Sequence, residues 1–142
     1  MTQDAILLPM CVLAIWTILV LGLVPIRRVA ASRAGRTHVK DYRYGESANV
    51  PGDVSLPNRN YMNLLELPVL FYAVCLALVA TKRVDQLYLW LAWAFVAARL
   101  VHSLVHIGYN NVLHRLVAFG LGVMIVQAMW GRHLWWIWQA SG

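Results

Sequence analysis

The stretch ILLPMCVLAIWTILVLGLV, from Ile6 to Val24, contains no charged residue. About 20 consecutive apolar residues suffice for an α-helix to cross a hydrocarbon core ~30 Å thick. The flank Met1-Thr2-Gln3-Asp4 carries no basic residue, and the apolar run is too long for a cleavable signal, so the segment reads as a retained span. Pro9 falls near its start, where a missing N–H is tolerated. Three further apolar runs follow, and the sequence predicts four helices at about 5–30, 58–81, 86–108 and 112–138. The segment 31–57 between the first two is polar, holds Gly35, Gly45, Pro51, Gly52 and Pro57, and reads as a loop. Alternation of period two is absent, so barrel strands are excluded. The fold class is an all-α integral membrane protein, a bundle of four transmembrane helices in one domain.

Composition agrees. The chain has 142 residues, 61% hydrophobic and 13% charged, with a mean hydropathy of +0.60. A soluble domain usually carries about 25% charged residues, and half that share leaves too little polar surface to cover a globule in water. A soluble enzyme and a disordered chain are both excluded. The net charge of +6 is unevenly spread: Arg27, Arg28, Arg33, Arg36, Lys40, Arg43 and Arg59 account for seven of twelve basic residues. Aromatics do not interleave with them, so the pattern indicates a cytoplasmic positive-inside loop and no nucleic-acid surface. With four spans, both termini then lie on the opposite, periplasmic side. Tyr88, Trp90 and Trp93, with Trp130, Trp135, Trp136 and Trp138, form an interfacial belt at that face. Cys11 and Cys75 read as small core residues.

The informative residues are polar ones inside apolar runs. Each costs about 2.5–3.5 kcal/mol at mid-bilayer, so each should face protein or water. Residues three or four apart share a helix face. Arg59, Asn63 and Glu66 therefore share a side of helix 2, and Arg99, His102 and His106 share a side of helix 3. At 1.5 Å per residue, Glu66 and Arg99 both lie ~10 Å inside the boundary facing the basic loop. Arg115, in the first turns of helix 4, belongs to the same leaflet. One reading is an internal network with Glu66 salt-bridged to Arg99 or Arg115. A single carboxylate cannot neutralise that much positive charge, however, and the excess suits a pocket that receives an anion. His102 and His106 lack a partner motif for metal, so no metal site is expected. His114 reads as interfacial, His38 and His133 as solvated. Pro68, two residues after Glu66, is a candidate kink beside the site.

At these residues the chain resembles the MAPEG family, the membrane-associated proteins of eicosanoid and glutathione metabolism. The likeness rests on Arg59-x-x-x-Asn63-x-x-Glu66 followed by Pro68, on Arg99-x-x-His102, and on Arg115 opening the fourth helix. PNRNYMNLLELPVLFYA and RLVHSLVHIGYNNVLHR are similar to the bacterial branch, as is the Arg27-Arg28 pair. The resemblance implies a homotrimer in the bacterial inner membrane, with glutathione bound between neighbouring subunits near the cytoplasmic leaflet. It implies that Arg59, Asn63 and Glu66 hold the tripeptide, that Arg99, His102, His106 and Tyr109 line the site, and that Arg27 or Arg28 lies near its mouth. Arg115 matches the arginine held to stabilise the glutathione thiolate. Some family enzymes carry a tyrosine where this chain has His106. The implied activity is that of a microsomal-type glutathione transferase or peroxidase acting on hydrophobic small molecules from the lipid bilayer. The alternative is a non-catalytic membrane protein that binds an anionic lipid or thiol and modulates a partner.

Overall fold

Each apolar run is a helix in the computed structural model, which describes residues 2–141. A 3-10 turn, Gln3–Ile6, leads into α1, Leu7–Arg33. Then come α2, Gly52–Ala80; α3, Gln86–Ile107; and α4, Val112–Ser141. All four are long and apolar enough to cross a membrane. The shortest, α3, has 22 residues, about 33 Å of helix at 1.5 Å per residue. Among the described residues there is no strand. The outer surface is itself apolar: Ile18, Leu19, Val69, Leu104 and Val117 each stand more than half exposed. Such a surface suits lipid and not water, and the chain is a multi-pass membrane protein.

In lipid, helices associate through close packing and interhelical hydrogen bonds, because the tails are as apolar as leucine. Here α1 packs on α2 and α3, and α4 packs on the same two from the other side. The inward stripe of α2 (Leu64, Phe71, Cys75, Leu78) meets Tyr88, Ala92 and Phe95 of α3. Phe71 stacks on Phe95 with ring centroids 4.5 Å apart. Cys75 is buried as expected, but Cys11 is exposed. Pro9, Leu13 and Val20 are the inward residues of α1, and Cys11 falls on the lipid side of that stripe.

The helix bounds depart most from the sequence reading at the start of α2, while α1 and α4 each run three residues further, to Arg33 and Ser141. α2 begins at Gly52, well before Asn58, and runs through both Pro57 and Pro68. Pro57 near a helix start deprives only the Asp53 carbonyl of its donor, at an end exposed to solvent. The loop is thus shorter, and a small second core of Ala31, Val50 and Val54 with Tyr42 holds it down. Arg36 clasps Asp53 through two hydrogen bonds of 2.6 and 3.0 Å.

The C-termini of α1 and α2 close in the same way. Gly35, at φ 69°, donates its N–H to Ser32, and Arg36 donates to Ala31. At the end of α2, Lys82 occupies the left-handed position at φ 54°, with its N–H on Val79 and that of Arg83 on Leu78. Only glycine takes this conformation without a Cβ penalty. Lys82→Gly is therefore expected to stabilise the protein by about 1 kcal/mol, read as a raised unfolding midpoint in a fixed detergent.

α3 starts at a doubly used carboxylate. Asp85 Oδ1 accepts the Tyr88 N–H at 3.0 Å, and the two Asp85 oxygens accept Arg132 of α4 at 3.0 and 2.6 Å. The hydrogen-bonded Arg132 guanidinium holds the Asp85 carboxyl below the usual carboxylate range. A carboxyl lowered on folding contributes stability that is complete above its unfolded pKa, about 3.9, and lost as pH falls through the lower folded value. The unfolding midpoint should be insensitive to this pair above ~pH 5 and fall in more acid buffer. Asp85→Asn keeps the helix cap and loses the ion pair, so its acid limb should be shallower than the parent's.

Candidate functional site

The turn between α3 and α4 sets the geometry of the site. Gly108 ends α3, Asn110 takes φ 50°, and Asn111 Oδ1 accepts the N–H groups of Leu113 and His114 at 3.0 and 3.1 Å. This cap starts α4 at once, so Arg115 on its first turn faces His106 on the last turn of α3. Arg115 Nη1 donates to Asn110 Oδ1 at 2.7 Å. His102 Nδ1 donates to the Arg115 carbonyl at 3.1 Å, fixing that ring's tautomer. The His102 and His106 rings meet edge to face, centroids 5.7 Å apart.

Two hollows adjoin here. The first, about 320 Å³, is lined by Arg59, Met62, Asn63, His106, Asn110 and Arg115 among others. The second, about 220 Å³, is lined by His102, Val112, Leu116 and Phe119 and shares Asn63 and Arg115 with the first. Val112 and Leu116 belong to the exposed apolar surface. Arg115 thus stands on the wall between a polar chamber and one that opens toward lipid. Among the described residues, no carboxylate lies within ion-pair distance of Arg59, Arg99 or Arg115. The Glu66 network that the sequence allowed is not formed; Glu66 sits on an exposed face of α2.

Arg99 is fully buried and lines neither hollow. Its Nη2 donates to the Asn63 carbonyl at 2.9 Å, and its guanidinium carbon lies 5.7 Å from the Phe119 ring centroid. A Cβ on Gly122 would stand 3.6 Å from Arg99 Cδ, an ordinary van der Waals contact, so α4 passes directly over the arginine stem. Arg99 Nε and Nη1, His102 Nε2, His106 Nδ1 and Arg115 Nε are all buried without a hydrogen-bond partner. Such a concentration of unsatisfied polar atoms is costly in a membrane interior.

The other sequence candidates lie elsewhere. Tyr109 is exposed, its hydroxyl 2.7 Å from His114 Nδ1. Arg27 is exposed, and Arg28 pairs with Glu46 at 2.9 Å while stacking on Tyr42. Neither arginine reaches the hollows within one chain. His133, read as solvated, is buried, because it continues the stripe of Val126 and Met129 by which α4 faces the bundle. Sequence reasoning missed the tie that binds three helices: Trp16 Nε1 donates to Ser103 Oγ at 2.9 Å, and Asn60 Nδ2 donates to the same oxygen. It also missed Asn110, which orients Arg115.

These features define a class: small four-helix membrane proteins with a cation-lined chamber at one end of the bundle, beside a largely apolar hollow. The MAPEG family model matches residues 6–135, nearly the whole chain, and the protein belongs to the MAPEG family. That family includes glutathione-dependent transferases and related membrane proteins. No curated protein and no solved structure matches the chain.

Proposed function

We propose that the protein is a glutathione-dependent transferase or peroxidase acting on lipophilic electrophiles at Arg115. The observation that carries this reading is the position of Arg115 on the wall shared by a polar and an apolar hollow. The polar chamber is within the range of small-ligand sites, roughly 300–1,000 Å³. Its unpaired Arg59 and Arg115 suit an anionic peptide, and Asn63 and Asn110 supply amide partners.

Glutathione would supply the thiol nucleophile. Arg59 and Asn63 hold the tripeptide, and Glu66 receives its amino group from the exposed face of α2. That placement favours a site completed by a neighbouring subunit of a homotrimer, where Arg27 or Arg28 would close the mouth. A free thiol has a pKa near 8.5, and an adjacent guanidinium raises its thiolate fraction at neutral pH. Asn110 and His102 act through Arg115, the first fixing its guanidinium and the second its backbone. The uneven basic residues favour an inner-membrane orientation with the α1–α2 loop cytoplasmic and both termini periplasmic.

The test is glutathione titration into detergent-purified protein, followed by calorimetry and by the ultraviolet absorbance of the thiolate. Saturable binding with a thiolate band near neutral pH is expected. Asn63→Ala should raise the glutathione requirement about tenfold with little change in turnover at saturation. Binding without any thiolate signal would favour the non-catalytic alternative, a protein that holds an anionic ligand and modulates a partner.

A further inference from the structure

The turn that joins α2 to α3 lies at the other end of the bundle from Arg115, the length of α3 away, about 33 Å. A hollow of about 300 Å³ opens there, lined by Lys82, Arg83, Val84, Asp85 and Trp136. Lys82, Arg83 and Asp85 form its polar wall, and Val84 with the Trp136 ring of α4 forms its apolar one. Trp135 and Trp138, exposed beside Trp136, put this end of the bundle at the level of the lipid headgroups.

The turn is held from two sides. Gln3 bonds both backbone groups of Val84, donating to its carbonyl at 3.3 Å and accepting its N–H at 2.9 Å. Asp85 is bound by Arg132 and by the Tyr88 N–H, so its charge is compensated. The two cations are not. Neither Lys82 nor Arg83 has a carboxylate within ion-pair distance among the described residues. Lys82 is exposed, and Arg83 is partly exposed with no side-chain nitrogen sealed from solvent, so both are within reach of a ligand.

Both are also fixed in place. The Arg83 guanidinium carbon lies 5.4 Å from the Trp136 ring centroid, a stack that leaves the N–H edge of the fork free to donate. Lys82 is set by its backbone, in the left-handed conformation that glycine would take without a Cβ penalty. A lysine held in that conformation at the rim of a hollow is a strained residue with a charge to offer.

We infer that the hollow at the α2–α3 turn binds the headgroup of an anionic glycerophospholipid, in the leaflet opposite the basic loop. The phosphodiester accepts from Arg83 and Lys82, and the glycerol and first acyl carbons lie against Trp136 and Val84. A free anion would use the cations and leave the apolar wall bare. A zwitterionic headgroup would bring its own cation beside Lys82. The site is separate from the thiol chemistry proposed at Arg115 and stands whether or not that chemistry occurs.

The experiment is native mass spectrometry of the full chain in mild detergent, titrated with phosphatidylglycerol or with phosphatidylcholine. Preferential retention of phosphatidylglycerol is expected. Arg83→Gln should weaken it about fivefold, the worth of one basic residue near an anionic surface, without changing retention of phosphatidylcholine. Lys82→Gly should weaken it by a similar factor while raising the unfolding midpoint, which separates lost lipid from lost stability. Lys40→Gln, which removes an exposed charge from the α1–α2 loop, should leave the preference intact. Equal retention of the two lipids by the parent, or unchanged phosphatidylglycerol retention in both Arg83→Gln and Lys82→Gly, overturns the proposal. So does an equal loss in Lys40→Gln, since the preference would then follow net charge and no particular site. Displacement of the lipid by millimolar inorganic phosphate would assign the hollow to a free anion, against the proposal. An Arg83→Gln protein that changes oligomeric state while holding its lipid also overturns it, because the hollow would then be a protein contact.

Discussion

Under the proposed function, replacing Arg115 by leucine is expected to lower glutathione-dependent turnover by about 10²–10³-fold, the usual cost of removing one group that stabilises developing anionic charge. The glutathione dissociation constant should move much less, because in the proposed site the guanidinium interacts chiefly with the ionised sulfur while Arg59 and Asn63 hold the rest of the tripeptide. The thiolate absorbance of glutathione-saturated protein should disappear in the same variant. Turnover and spectrum must fall together. An Arg115→Leu protein as active as the parent would reduce this residue to the partner of Asn110 at the start of α4.

Arg99→Met should raise stability, by about 1–4 kcal/mol, in the way that apolar replacements of buried charges often do. The side chain is fully buried and satisfies only one of its donor nitrogens, on the Asn63 carbonyl, while Nε and Nη1 are bare. Methionine fills similar space without that desolvation cost. Arg99→Ala leaves a void between α3, Phe119 and Gly122 and should lose about 2–5 kcal/mol, the range for large-to-small core changes. Unfolding midpoints in one detergent separate the two. Weaker glutathione binding in a more stable Arg99→Met protein would show that the buried guanidinium supports the neighbouring site through its field. If Arg99→Met is instead strongly destabilised, the arginine serves mainly to tie α3 to α2.

The four spans and their order were legible because apolar runs of membrane length have few other folds open to them. The start of α2 was not, since Pro51 and Pro57 read as breakers although proline is compatible with the opening turns of a helix. Side-chain direction was the harder matter. Successive residues of an α-helix differ by about 100°, so Arg59 and Asn60 point to different neighbours: the first is exposed at the hollow and the second buried against Ser103. The apolar spacing of Leu64, Phe71, Cys75 and Leu78, carried back toward the start of α2, passes through Asn60. That extrapolation would have found the buried amide. Arg99, His102 and His106 did fall on one inward face, as their spacing required, but only the fold could show that His106 lines the hollow while Arg99 lies sealed behind it. Where Glu66 goes was beyond the reach of one chain's sequence, because it stands exposed on α2 and pairs with no basic residue among the described ones.

The carboxylate of Asp85 joins events that are far apart in synthesis. It caps α3 as soon as that helix forms, yet its second task waits for Arg132, a separation of 47 residues. An uncapped α3 frays at the end where α4 must dock, and an undocked α4 leaves the carboxylate with only its local bond. Each event therefore favours the other, and the hairpin of α2 and α3 is a provisional structure until the last helix enters the bilayer. A chain halted before Arg132 keeps the cap and lacks the latch.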